Sequence, residues 1–113
     1  MLELGALYVE VETAITEQGL ELEEADLPSE NAFIQELNGV LPKAYFISGK
    51  TLSIYVFSSE DEREKGMDDF NYKTAALKLV VHKIYTNKNV LVFYAEGNEE
   101  TNSKLSMAIN DLE

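Results

Sequence analysis

Two runs, Leu52–Phe57 and Val90–Ala95, are apolar or aromatic at every position except Ser53. Successive side chains of a strand point to opposite faces, so Leu52, Ile54 and Val56 divide from Tyr55 and Phe57, and Val90, Val92 and Tyr94 divide from Leu91, Phe93 and Ala95. That is more hydrophobic material than a sheet covered on one side requires. Each run closes a hairpin: Ser48-Gly49-Lys50 separates Ala44–Ile47 from Thr51–Phe57, and Thr86-Asn87-Lys88-Asn89 separates Leu79–Tyr85 from Val90–Ala95. Each also precedes a helical pattern, and the segments starting at Lys50 and Lys88 stand 38 residues apart. The expected fold is α+β: a mostly antiparallel sheet with helices packed mainly on one face, built from two hairpin-plus-helix units in a single domain over residues 1–113. Two unrelated amphipathic solutions would give the same pattern, so the repeat need not reflect a duplication.

The helices announce themselves by spacing and caps. Leu4, Leu7, Val11 and Ile15 recur at helical intervals, with Tyr8 and Ala14 widening the stripe, and Gly19 offers a left-handed stop; this predicts a helix over residues 3–18 in preference to the strand-like alternation of Tyr8–Glu12. A weak strand follows from Leu20 to Leu27 and ends at Pro28. Asn31 to Pro42 is too apolar for a solvent-washed linker and is expected to pack over the core, with a turn at Asn38-Gly39. Ser59 caps the second helix with Glu62 closing a capping box, and Met67, Phe70, Thr74 and Leu77 form its inner stripe. Gly66 inside that helix costs about 1 kcal/mol relative to alanine and suggests close packing. Gly97-Asn98 opens the last helix, with Leu105, Ala108, Ile109 and Leu112 on its apolar face.

Composition excludes several classes of chemistry. The chain has 9 basic and 21 acidic residues, a net charge of −12, so nucleic acids and anionic membrane surfaces are not expected partners. Cysteine is absent, and His82 is the only histidine, so neither a thiolate nor a multi-histidine metal site is expected. The carboxylates Glu60, Glu64 and Asp68 share i,i+4 spacing, but Arg63 and Lys65 interrupt them and no calcium-loop pattern is present, which reads as a solvated helix face. No phosphate-binding loop, dinucleotide fingerprint or Gly-x-Ser-x-Gly element occurs, so no cofactor is expected and no serine is linked to His82. His82 itself reads as a histidine at a sheet face or edge; the catalytic alternative makes it a general base with a carboxylate supplied from elsewhere. No apolar stretch reaches the length of a membrane span, and Met1-Leu2-Glu3-Leu4 lacks the features of an export signal.

The aromatic strands are the remaining candidate. If helices cover one sheet face alone, the other exposes Tyr55, Phe57, Leu91 and Phe93 as a protein-binding surface. The competing reading, which the apolarity of Asn31–Pro42 favours, buries that face beneath the connection.

Three segments, Leu27-Pro28-Ser29-Glu30-Asn31-Ala32-Phe33, Glu36-Leu37-Asn38-Gly39-Val40 and Leu52-Ser53-Ile54-Tyr55-Val56-Phe57 leading into the charged helix, resemble small uncharacterised proteins of Gram-positive bacteria. Some of these carry export or lipoprotein leaders. The resemblance implies a cell-envelope or extracellular location ahead of a cytoplasmic one, with a lipid anchor upstream of this segment, and it brings no catalytic residues. The function expected from sequence is a noncatalytic accessory or protein-binding domain acting on a protein partner or as a homo-oligomer. The alternatives are a small hydrolase-like enzyme using His82 and a cytoplasmic structural or regulatory protein.

Overall fold

A computed structural model describes residues 4–112, with side chains from Leu7 to Leu112. Residue 3 and the Leu4 side chain, both part of the first expected helix, lie outside the described side chains. The elements run α1 (Leu4–Glu17), β1 (Glu23–Glu24), a 3-10 turn (Ala32–Ile34), β2 (Lys43–Ile47), β3 (Lys50–Val56), α2 (Glu60–Thr74), β4 (His82–Asn87), β5 (Val90–Ala95) and α3 (Glu99–Asn110). The five strands form one antiparallel sheet in the order β1-β2-β3-β5-β4. This is the α+β arrangement expected, and both hairpin-plus-helix units are present.

Both faces of the central strands are buried, each under its own layer. On one face Val11 and Ile15 of α1 and Leu105, Ala108 and Ile109 of α3 pack on Leu52, Ile54, Val56, Val90, Val92 and Tyr94. On the other, Phe70 of α2 and Phe33 and Leu37 of the connection pack on Tyr55, Phe57, Leu91, Phe93 and Ala95. Two of the three α-helices therefore share one face, and the third crosses to the opposite one. The hairpin units are not symmetry copies. β3 and β5 are antiparallel neighbours, so the rotation that exchanges them is normal to the sheet and keeps each face in place, yet α2 and α3 occupy opposite faces. Glu96, with φ of 58°, lies where the chain leaves β5 for α3; no left-handed residue separates β3 from α2.

Local chemistry explains the element ends. Gly19 adopts φ of 85° and its N–H bonds the Thr16 carbonyl, closing α1. Asn38 and Gly39 both take positive φ, and Leu37 and Val40 exchange two backbone hydrogen bonds of 2.9 Å across them. Ser59 Oγ accepts from the Glu62 N–H at 3.1 Å, but the Glu62 carboxylate turns to Asn38 Nδ2, so the capping box is half made. Asn98 Oδ1 caps α3 through the Thr101 N–H at 2.8 Å.

Three boundaries differ from expectation. The strand predicted from Leu20 is two residues long, Glu23–Glu24, although Leu20 and Leu22 still pack on the core. α2 stops at Thr74, which leaves Leu77 outside the helix and exposed rather than on the inner stripe. The β4 strand begins at His82, opposite Ala95 where β5 ends, with one further bond from the Glu96 N–H to the Val81 carbonyl, so Leu79 and Val80 extend past their partner strand.

Candidate functional site

The four residues expected to form a binding surface are brought together, and they are core. Tyr55, Phe57, Leu91 and Phe93 each have 0% exposure. The Tyr55 ring meets Phe93 edge-on at 5.8 Å and stacks on Phe57 at 6.0 Å, while Phe70 of α2 lies 4.5 Å from Phe93. The Tyr55 hydroxyl donates to the Gln35 carbonyl at 2.6 Å, and burial pushes its pKa up, which keeps it a donor. The connection above is locked to α2: the Asn38 N–H donates to Asp69 at 2.9 Å and Lys73 Nζ donates to the Glu36 carbonyl at 2.5 Å. The surface reading of these four residues is thus corrected, because α2 and the Asn31–Pro42 segment together seal the face. Ser53, on the same face opposite Phe93, is fully buried and its hydroxyl has no hydrogen-bond partner among the described residues.

His82 sits at the rim of this aromatic cluster, its ring 5.0 Å from Phe33 and 6.5 Å from Phe93. Its Nδ1 is 2.9 Å from the Val80 carbonyl, a geometry that assigns the proton to Nδ1. The ring thus meets aromatic and backbone groups, and no carboxylate bonds to it among the described residues, so the partner a general base requires is not assembled there. The acidic face of α2 is interlaced with cations, Glu60 with Arg63, Glu62 with Lys65 and Asp69 with Lys73. Among the described residues no three metal-ligating side chains converge, and no helix is long and apolar enough to cross a membrane.

What remains open is the outer edge of β4. The Glu96 N–H bonds the Val81 carbonyl at 2.8 Å, which makes Val81 and Glu96 a hydrogen-bonded pair. Such pairs alternate along an antiparallel ladder, so Lys83 with Tyr94, Tyr85 with Val92 and Asn87 with Val90 also direct their backbone groups inward. The N–H and C=O groups of His82, Ile84 and Thr86 then point away from the sheet, where no strand pairs with them among the described residues. Beside this edge Val81 is 81% exposed and Ile84 40%, and Leu77 and Val80 are exposed as well. Leu77, Leu79 and Val80 also line an open groove of about 370 Å³ whose other wall is Asn31–Phe33.

Lysines gather in the segment that forms this edge, with Glu96 beside Lys78 and Glu99 beside Lys83. No acidic residue occurs between Asp69 and Glu96, whereas Lys73, Lys78, Lys83 and Lys88 all do. Lys73 is engaged with Asp69; Lys78, Lys83 and Lys88 are exposed and in no ion pair among the described residues. The acid-free run was a signal open to sequence reasoning, but its placement on an edge strand was not. Comparison of the chain with protein-family models, curated proteins and solved structures finds no match.

Proposed function

We propose that the protein is a noncatalytic binding domain that takes up an extended, acidic segment of a protein partner as an added strand along β4. The observation that carries this reading is the outer edge of β4, unpaired among the described residues, with His82, Ile84 and Thr86 offering three donors and three acceptors beside exposed Val81. Strand addition satisfies such groups through main-chain hydrogen bonds and obtains specificity from alternate side chains. Lys78, Lys83 and Lys88 select an acidic strand, since like charges across a pair are destabilising.

The test uses a labelled peptide of alternating valine and glutamate, read by fluorescence anisotropy, against a counterpart with lysine in place of glutamate. The glutamate peptide is expected to bind about tenfold tighter or better, a difference of roughly 1.4 kcal/mol. Ile84→Pro removes an outward N–H without breaking a bond to β5, and proline is tolerated at edges, so this variant should fold and fail to bind. Lys83→Glu, which leaves the backbone untouched, should reverse the peptide preference. Equal binding of both peptides, or full binding by folded Ile84→Pro, overturns the proposal.

A further inference from the structure

The sheet has a second free edge, and it carries the opposite charge. β1 pairs with β2 alone among the described residues, and around it Glu21, Glu23, Glu24 and Asp26 are all exposed. The Ala25 N–H bonds the Ala44 carbonyl at 3.1 Å, so Ala25 and, two residues before it, Glu23 face β2 with their backbone groups; those of Glu24 point outward. Every pairing across the five strands is antiparallel, so β1 and β4, first and last in the order, run in the same direction.

From these facts, and resting on the strand-addition reading above, we infer that the segment β4 receives is the β1 edge of a second copy of this chain, giving a head-to-tail assembly with a continuous sheet. A second copy displaced across the strands, and turned about that direction by the twist accumulated between β1 and β4, sets its β1 parallel to β4 with matching faces. Glu24 pairs with Tyr45 and Lys83 with Tyr94, and both tyrosines lie on the α1/α3 face, so Glu24 and Lys83 emerge on the same side of the joined sheet. Glu23, paired with Phe46, falls on the other face with His82 and Ile84. Lysine on an edge strand ordinarily discourages pairing, but opposite an acidic strand it favours it. Two β4 edges meeting about a two-fold axis would instead bring Lys78, Lys83 and Lys88 of both copies to one seam. The head-to-tail contact is heterologous and open, so it yields a series of growing species rather than a closed dimer.

Sedimentation velocity over a wide concentration range reads this directly. Wild-type protein at ~0.15 M salt, where the net repulsion is screened beyond about 8 Å, should show a mass that rises with concentration without a fixed end point. Glu24→Lys and Lys83→Glu should each weaken association about tenfold or more. Mixing the two variants should restore it, because each then offers an edge complementary to the other, a recovery that misfolding of either cannot produce. A wild-type chain that stays monomeric, association unaffected by Glu24→Lys, or a mixture that does not recover overturns the inference. If such a chain still binds the valine–glutamate peptide, the strand-addition reading stands and only the identity of the partner falls; if it binds neither, both fall.

Discussion

Gly66→Ala should destabilise this protein, although the same change in an ordinary helix interior stabilises by about 1 kcal/mol. A Cβ built on Gly66 would lie 2.5 Å from Phe57 Cζ and 2.7 Å from Cε1, well inside van der Waals contact. The ring cannot swing clear: Phe57 is fully buried and stacked on Tyr55 with the planes 9° apart. Relief requires α2 to move off the sheet, and overpacking of this kind costs roughly 1–3 kcal/mol. With the propensity gain subtracted, the net loss is about 0–2 kcal/mol, or up to several degrees in Tm for a domain of this size. Urea unfolding followed by circular dichroism gives the equilibrium value. Phe57→Leu supplies the control, because it shortens the ring that clashes: its own cost should shrink by about 1 kcal/mol in the Gly66→Ala background. A Gly66→Ala variant more stable than wild type, or strictly additive effects of the two substitutions, would refute the claim that α2 is held in contact with the sheet at this point.

The same face yields further expectations. Tyr55→Ala and Phe93→Ala should each cost about 3–5 kcal/mol in urea unfolding, whereas Tyr55→Phe should cost about 1 kcal/mol through the lost bond to Gln35. Ser53→Ala removes a buried hydroxyl without a partner and should raise stability by about 1 kcal/mol, seen as a higher Tm. On the α1/α3 face, burial first and the nearby Tyr94 second push the Tyr85 hydroxyl up to about 12. Its pKa is therefore higher folded than the unfolded value near 10, so its contribution is complete below about pH 10 and is lost as pH rises toward 12. Unfolding free energies measured at successive alkaline pH values should fall over this window, and less steeply in Tyr85→Phe.

Much of the architecture was legible because it is set locally. Gly19, Asn38-Gly39, Ser59 and Asn98 act through their own φ or side-chain oxygen, and each marks the turn or cap expected of it. The apolar character of both faces of β3 and β5 was legible in their two alternations. The misreadings all depend on partners distant in sequence. Leu77 continues a helical spacing, but α2 ends at Thr74, and the strand predicted from Leu79 forms only where β5 offers Ala95 and the residues before it. Whether Tyr55 and Phe93 are surface or core turns on the face to which α2 crosses, which their alternation does not encode. The β4 edge is the clearest case. Its lysines and the acid-free run that holds them are plain in the chain, but β4 becomes an edge only because β5 inserts between it and β3.

Residue-resolved amide hydrogen exchange, with and without the valine–glutamate peptide, tests the central claim about β4 most directly. In the free protein the amides of Lys83 and Tyr85, bonded to β5, should exchange slowly, and those of Ile84 and Thr86, aimed outward, should exchange fast. Saturating peptide should slow the second pair and leave the first as it was. Strand addition is contradicted if the peptide binds while Ile84 and Thr86 stay fast, or if their protection in the free protein already equals that of Lys83 and Tyr85.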